Sequence, residues 1–262
     1  MTEVASVYEE LRDALRAEEP VALATVVEGP GLGAKLLVRP GRDTLGSLGD
    51  ADLDRVVGRD ALGELAAGLT STRHYGAHGE ARERDVSVFI ESFAPPPRMI
   101  IFGAVDFTAA LARAGKLLGY RVTVCDARAV FATVQRFPMA DEVVNDWPDR
   151  YLAKVEDLGP RDAVCVLTHD AKFDVPAIVA ALATDVGYLG AMGSRRTHER
   201  RVERLREAGV DDAGLARLMA PIGLDIGART PEETAISICA EIIASKTGRA
   251  APSLRDATGA IH

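Results

Sequence analysis

The chain has 262 residues, a formal net charge of −8 and an isoelectric point near 5.2. This acidity argues against broad electrostatic binding to nucleic acid or anionic lipid, because both of those partners are themselves negatively charged. No run of about 18 apolar residues is present, and the chain starts with an acidic amphipathic segment, so we expect a cytoplasmic protein without a membrane span.

Residues 1–94 predict a small α+β domain. Apolar residues at helical spacing predict a first helix from Glu3 to Ala17, and two apolar runs around a glycine-rich turn predict a hairpin-like β layer. The helix and the β layer would serve as readily to pair two subunits in a homodimer as to pack within one chain. The other predicted segments are a polar passage at 44–54, a helix at about 51–68, a loop at 71–85 and a strand at 86–90.

A run of three prolines at 95–97 predicts a stiff linker, because proline neither continues a helix nor donates a ladder hydrogen bond.

The sequence pattern of residues 98–262 predicts an α/β domain. Met99 to Phe102 is an apolar run without polar alternation, as in a strand buried on both faces. Gly103 ends it, a helical pattern follows, and a second strand ends at Asp126, 23 residues after Gly103. This order predicts a Rossmann-like parallel sheet, with the acidic residue where a ribose ligand belongs.

The dinucleotide fingerprint of this turn is incomplete. Val105 and Thr108 stand where the second and third glycines belong, and the second glycine normally lets the backbone approach a pyrophosphate. The pattern therefore favours the fold more strongly than it favours NAD(P) binding. Further strands are predicted at 140–144, 163–168 and 186–191, and further helices at 175–183, 194–208 and 230–245. The helix at 194–208 is strongly charged, with Val202 and Leu205 predicted on its inner side and His198 in solvent.

Candidate site residues follow the strands, because ligands of open parallel sheets bind beyond the carboxyl ends of the strands. They are Gly103, Asp106, Asp126, Arg128, His169, Asp170, Gly190, Gly193, Ser194, Arg195 and Arg196. His169, together with Asp170 and Asp174, is a candidate for catalytic proton transfer. The alternative is that His169 only ends a strand and Asp170 starts the next turn.

Gly193 to Arg196 opens a helix, where free backbone amides, a hydroxyl and two guanidinium groups suit a phosphate. The alternative is an ordinary helix start with solvated arginines. Asp225 and Gly227 lie in a glycine-containing loop before the last helix, which makes Asp225 a candidate ligand-facing carboxylate. No metal site is predicted, because His74 and His78 lack further ligands and the three cysteines each lie in an apolar run.

Three segments of the second half carry a family resemblance: THDAKFDVPAIVAAL, YLGAMGSRRTHERRVERLREAGV and PIGLDIGARTPEETAISICAEIIA. Together with RFPMADEVV, they resemble the xanthine dehydrogenase accessory family, XdhC/CoxI. The resemblance implies a small N-terminal domain and a C-terminal Rossmann-like domain. It also implies a role in maturing molybdenum-cofactor hydroxylases, by binding the molybdenum cofactor and passing it to a sulfuration partner and the apoenzyme.

Two sequence motifs depart from the pattern of that family. Its N-terminal domain usually carries a glycine-glycine-cysteine-x-glutamate motif, and Asp52 stands here in place of the cysteine. Its Rossmann turn usually has glycine and histidine where this chain has Val105 and Asp106. The leading hypothesis is an accessory protein that binds a phosphorylated pterin or a nucleotide, with Gly193 to Arg196 on the phosphate. The alternatives are an NAD(P)-dependent oxidoreductase using Asp126 and His169, and a non-catalytic interaction module.

Overall fold

The computed structural model describes residues 2–257, with side chains from residue 7 onward. The chain forms two compact units that divide between Pro95 and Pro96, inside the run of prolines. No helix within residues 2–257 is both long enough and apolar enough to cross a bilayer.

The first unit is α+β. Its elements are α1 (Thr2–Arg16), β1 (Val21–Glu28), β2 (Lys35–Val38), β3 (Leu45–Ser47), α2 (Ala51–Ala67), β4 (Ser71–Tyr75) and β5 (Val86–Phe93). The strands form an antiparallel sheet in the order β3-β2-β1-β5-β4. The predicted hairpin of β1 and β2 is confirmed, since Leu23 faces Leu37 across the pair.

Two predictions for this unit were wrong, and both concern edge strands. The passage at 44–54 contains β3, and the segment at 71–85, predicted as a loop, begins with β4. Strand β3 has only three residues, too few to show a period. Strand β4 pairs along β5 but leaves Thr72, Arg73 and His74 exposed, so it lacks the apolar alternation of a half-buried strand.

The sheet of the first unit is covered on both faces. Val21 and Leu23 of β1 pack with Val7 and Ala14 of α1. The alternate residues of the same strand pack with the apolar side chains of α2. Because successive side chains of a strand point to opposite faces, a strand between two helical layers is apolar throughout, as β1 is.

The second unit is α/β. Its elements are β6 (Arg98–Phe102), α3 (Asp106–Leu117), β7 (Arg121–Cys125), β8 (Glu142–Val144), α4 (Pro148–Leu152), β9 (Ala163–Val166), α5 (Ala171–Leu182), β10 (Tyr188–Ala191), α6 (Arg195–Glu207), α7 (Asp212–Ala216), β11 (Leu218–Met219) and α8 (Pro231–Thr247). Six parallel strands form one sheet in the order β11-β10-β9-β6-β7-β8. The predicted Rossmann-like parallel sheet is confirmed. The sequence missed β11, α4 and α7, which have five residues or fewer.

Helices cover both faces of the parallel sheet. Met99 and Ile101 of β6 pack in the layer of α3 and α8, whereas Ile100 and Phe102 pack in the layer of α4, α5 and α6. The chain leaves β6 toward β7 and β8, and then returns to the other side of β6 as β9. The gap between β6 and β9 is therefore the topological switch point, where open α/β sheets bind ligands.

The turn after β6 is tied to the end of β7. Gly103 has a φ of +107° and donates its N–H to the carbonyl oxygen of Cys125 at 2.9 Å. The N–H of Ala104 donates to the Asp126 carboxylate at 2.8 Å. Thr108, at the third glycine position of the fingerprint, is fully buried and donates its hydroxyl to the Gly103 carbonyl oxygen. The Thr108 side chain thus stabilises the turn at a position where the fingerprint has glycine.

Substituting Gly103→Ala should destabilise the second unit. A Cβ atom there would lie 2.6 Å from Cγ2 of Thr168, and the positive φ is itself unfavourable for an L-residue. We expect a loss of about 2–4 kcal/mol in the free energy of unfolding. Urea unfolding of the full chain measures this loss of stability. The unfolding is monitored by the fluorescence of Trp147, the only tryptophan in the sequence. Gly119→Ala is the control, since its φ is +81° but no atom lies within 4 Å of the added Cβ. Equal losses in both variants would contradict the packing argument.

Asp126 should make the stability of the second unit pH-dependent. Burial acts to raise the pKa of this carboxyl, but hydrogen bonds from Arg128 and Ala104 outweigh it and lower the pKa overall. A carboxyl with a lowered pKa in the folded state stabilises the fold above its unfolded value of about 4, and this contribution is lost as the pH falls further. Asp126→Asn should therefore cost about 1.5–3 kcal/mol at neutral pH.

The same variant should show a flatter dependence of stability on pH between about pH 2 and 5 than the unmodified chain. Urea unfolding at a series of pH values measures both curves through Trp147 fluorescence. Parallel curves would show that Asp126 does not contribute to the acid sensitivity.

Candidate functional site

An open cleft of about 600 Å³ lies at the carboxyl ends of the central strands of the second unit. It opens at the switch point between β6 and β9. Its lining residues are Val105, Arg128, Thr168, His169, Asp170, Ala171, Phe173 and Arg204. These come from the turn after β6, the segment after β7, the segment after β9 with the start of α5, and the face of α6. We call it the switch-point cleft.

Arg128 is held in the cleft wall by Asp126. Its Nε and Nη2 donate to the two oxygens of that carboxylate at 2.9 and 2.7 Å. Asp126 is buried and also accepts the backbone N–H groups of Ala104 and Arg128. Both carboxylate oxygens are thus engaged, and a ribose hydroxyl would compete with Arg128 for them. The assignment of Asp126 to ribose stays a prediction.

Aromatic side chains lie against the same arginine. The guanidinium carbon of Arg128 is 4.6 Å from the ring centre of Phe131 and 5.9 Å from that of Phe173. Phe173 in turn packs at a tilt on Trp147, with ring centres 5.0 Å apart. Of these three aromatic residues, Phe173 lines the cleft, so one aromatic ring lies there beside a guanidinium group whose position is fixed at a carboxylate.

His169 and Asp170 are exposed at the rim of the cleft. Asp170 is the N-cap of α5: it accepts the backbone N–H of Lys172 at 3.2 Å and its carboxylate lies 3.3 Å from the Lys172 ammonium. The backbone hydrogen bond from Lys172 is the main reason that the pKa of Asp170 is lowered. Asp170 is thus ionised at neutral pH and would accept rather than donate a proton. The catalytic role of the pair stays a prediction.

A buried ion pair between Arg201 and Asp174 joins elements that line the cleft. Arg201 donates from Nη2 to Asp174 at 2.9 Å and to the Met192 carbonyl oxygen at 2.7 Å, and Thr168 donates its hydroxyl to Asp174. The side chains of Arg201 and Asp174 are 3% and 5% exposed. Burial raises the pKa of Asp174, although the bonds from Thr168 and Arg201 act against the rise.

The structure corrects the prediction for the inner side of α6. The buried residues are Arg201 and Leu205, whereas Val202 is only half-buried. His198, predicted in solvent, is also half-buried, and burial together with nearby Arg201 lowers its pKa. Within residues 2–257, the Nδ1 atom of His198 and the Nη1 atom of Arg201 are buried without a hydrogen-bond partner.

The predicted phosphate site at the start of α6 is not part of the lining of the switch-point cleft. Ser194 caps α6, with its hydroxyl 3.1 Å from the Thr197 N–H and 2.9 Å from the Thr197 hydroxyl. Arg195 and Arg196 are exposed, and Gly193 has a positive φ. Phosphate binding at this helix start stays a prediction.

The other predicted ligand-facing residues lie outside the cleft lining as well. Gly190 is buried, and a Cβ there would lie 2.5 Å from Ile222, so this glycine permits close packing. Asp106 is exposed at the start of α3. Asp225 and Gly227 are exposed in the loop before α8.

The predicted metal candidates have other contacts. His74 lies 3.0 Å from the Ser87 hydroxyl, and His78 lies 2.8 Å from Asp50. The three cysteines are free and buried, as predicted. In the described part of the chain, no three histidine, cysteine, aspartate or glutamate side chains are grouped to hold a metal.

Sequence reasoning missed Arg201, Phe173 and Arg204. A signal was available for Arg201, because it lies four residues before the buried Leu205 and therefore on the same face of the helix. Arg204 follows one turn later, but its place in the cleft depends on how α6 packs on the sheet. Phe173 lies in an apolar stretch that is typical of core packing, and nothing in its spacing indicates a cleft wall.

Two family models match the chain. The XdhC Rossmann domain matches residues 99–242, more than half of the chain, and the XdhC and CoxI family matches residues 14–76. A crystal structure described as a xanthine dehydrogenase from Bacillus halodurans covers 94% of this chain and 97% of its own, with a TM-score of 0.54 and 22% identity. At that identity the likeness shows the fold alone.

Curated relatives are similar over different lengths. The "uncharacterized protein YqeB" of Escherichia coli K12 is 30% identical over 250 residues, 89% of this chain and 46% of YqeB. A protein of Bacillus subtilis named as a probable xanthine dehydrogenase component is 29% identical over 194 residues, 68% of this chain and 56% of that protein. The "molybdenum cofactor insertion chaperone PaoD" of Escherichia coli K12 is 38% identical over 80 residues, 30% of this chain and 25% of PaoD.

The chain thus spans about half the length of the first two relatives. The matched models include the Rossmann domain of the second unit and most of the small α+β unit. By these matches the protein belongs to the XdhC family.

Proposed function

We propose that this protein is an accessory factor in the maturation of molybdenum-cofactor hydroxylases of the xanthine or carbon monoxide dehydrogenase type. We further propose that it binds a phosphorylated pterin or a nucleotide in the switch-point cleft. The names of the relatives support the first part, since they mention xanthine dehydrogenase and a molybdenum cofactor insertion chaperone. A hydroxylase apoenzyme and a sulfuration partner are the partners that this role requires.

The observation that carries the ligand proposal is Arg204. This exposed residue lines the cleft, and among the described residues its guanidinium has no hydrogen bond or ion pair. Arg128, in contrast, is engaged with Asp126. A cationic group that lies at the ligand-binding edge of a Rossmann-like sheet, without a carboxylate partner, suits a phosphate group of a ligand. His169, exposed at the same cleft, is a second donor for that anion.

The chain fits the phosphorylated part of a molybdenum cofactor better than its metal part. Arg204, His169 and the ring of Phe173 suit a phosphate that carries a planar ring. The cysteines do not suit the metal, because all three are buried. Burial raises the pKa of Cys125 to about 12, so its thiol stays protonated. We therefore assign the phosphate and the ring to residues of the cleft, and no thiolate of this chain to the molybdenum.

Substituting Arg204→Gln should weaken ligand binding without unfolding the protein. Loss of one charge-assisted hydrogen bond corresponds to about a tenfold to hundredfold rise in Kd. Calorimetric titration of the full chain with a molybdopterin-type compound measures it. The matched control is Arg206→Gln on the same helix, since Arg206 is exposed and pairs with Asp212 at 3.0 Å, outside the cleft.

The maturation role is tested in cells that lack the gene. Hydroxylase activity should return with the unmodified chain and with Arg206→Gln, but only weakly with Arg204→Gln. Equal affinities of the two variants would contradict the placement of the ligand.

A thermal shift with NAD(H) or NADP(H), and none with the pterin compound, would favour the oxidoreductase alternative. A ligand at about 100 times its Kd adds about 2.7 kcal/mol of stability, which such a screen detects readily.

A further inference from the structure

A second open cleft, of about 690 Å³, lies in the first unit. One wall is the start and middle of α2, and the other is the segment that joins β2 to β3. Its lining residues are Val38, Arg39, Gly41, Arg42, Asp43, Thr44, Ala51, Asp54, Arg55, Gly58, Arg59 and Leu62. We call it the arginine cleft, because each wall contributes two arginines.

The lining of the arginine cleft contains four arginines and two carboxylate residues, Asp43 and Asp54. The Asp54 carboxylate is already engaged, since it accepts the Ser47 hydroxyl at 2.8 Å and the Leu48 N–H at 2.7 Å. That carboxylate therefore serves to hold β3 against α2.

Each arginine of the cleft is held by a carboxylate outside the lining. Arg39 pairs with Glu10 at 2.7 Å, and Arg42 lies 3.4 Å from Glu19. On the other wall, Arg55 pairs with Asp52 and Arg59 with Asp60, each at 3.0 Å. A guanidinium has five N–H donors, and these contacts use one or two of them. The remaining donors have no partner among the described residues, so they are available to a ligand.

The positions of the arginines suit two anionic groups rather than one. Arg55 and Arg59 are four residues apart on α2, which places them on the same face of the helix. Arg39 and Arg42 come from the opposite wall. Gly58 lies between the helical pair, and an added Cβ there would lie 3.6 Å from Thr44, so the two walls approach each other at this glycine. Leu62, one turn beyond Arg59, is 39% exposed and offers an apolar contact.

We propose that the arginine cleft binds a small molecule that carries a diphosphate, such as a nucleoside diphosphate. The guanidinium groups of both walls bind the phosphoryl oxygens, and Leu62 contacts the apolar part of the ligand. All of the residues concerned belong to the first unit, so this site is independent of the ligand proposed for the switch-point cleft.

Calorimetric titration of the full chain with pyrophosphate and with ADP tests the proposal. The double variant Arg55→Gln and Arg59→Gln should raise both dissociation constants by about tenfold or more, because it removes two sets of charge-assisted donors. Glutamine has a helix propensity close to that of arginine, so α2 should persist, and circular dichroism checks this. The control is the double variant Arg82→Gln and Arg84→Gln. It removes the same charge from exposed positions of the same unit outside the lining, and binding should stay unchanged.

Three results would overturn the proposal. The first is no binding of either compound at about 1 mM, a concentration that corresponds to roughly 4 kcal/mol of binding free energy. The second is equal weakening in both double variants, which would show that only the net charge matters. The third is binding that Arg204→Gln abolishes and the Arg55 and Arg59 variant leaves intact, which would move the phosphate to the second unit. Binding of a polyglutamate peptide, without either phosphate compound, would assign the cleft instead to an acidic protein partner.

Discussion

The buried pair of Arg201 and Asp174 is the constraint on which the switch-point cleft depends. Removing such ions from water costs several kcal/mol for each one, and only good geometry with further hydrogen bonds offsets this cost. Here Asp174 also accepts from Thr168 at the end of β9, and Arg201 also donates to Met192 after β10. One buried cation therefore joins α6 to the ends of two strands and to α5. Arg204 follows Arg201 by one helical turn, so the position of the free guanidinium depends on the pair below it.

The turn after β6 shows why an incomplete fingerprint still gives a well-formed fold. In the complete fingerprint, glycines leave the backbone open to a pyrophosphate. In this chain the Thr108 hydroxyl donates to Gly103, and the Val105 N–H lies 3.3 Å from that hydroxyl. The Ala104 N–H donates to Asp126. The polar groups of the turn thus bond to one another, which leaves the anion contacts of a ligand to side chains on neighbouring elements.

Sequence periodicity predicted the elements that are long and regularly buried, and it failed where burial is one-sided or the element is very short. Strand β6 was predicted because helices cover both of its faces, so all of its central residues are apolar. Strand β4 was missed because it is an exposed edge strand, and β11 because two residues carry no period. Arg201 was missed because charge usually indicates exposure. Which side chains line the clefts depends on how α2 and α6 pack on their sheets, which composition and spacing do not determine.

The acidity of the chain argues against broad binding to polyanions, yet both clefts are lined by arginines, and the two facts are physically connected. Fields of exposed charges fade over about 10 Å at 0.1 M salt, so a small anion in a cleft responds to the groups around it rather than to the net charge. Neighbouring carboxylates also pair with the arginines: the buried Asp126 fixes Arg128, and the exposed Asp52 forms a surface ion pair with Arg55. A guanidinium can bond a carboxylate with one edge and an anion with its other donors, which the compact ammonium of lysine does less well.

Asp52 stands where the family resemblance places a cysteine, and in this chain it pairs with an arginine. It offers no thiolate for a metal, and its carboxylate lies 3.0 Å from Arg55, which lines the cleft of the first unit.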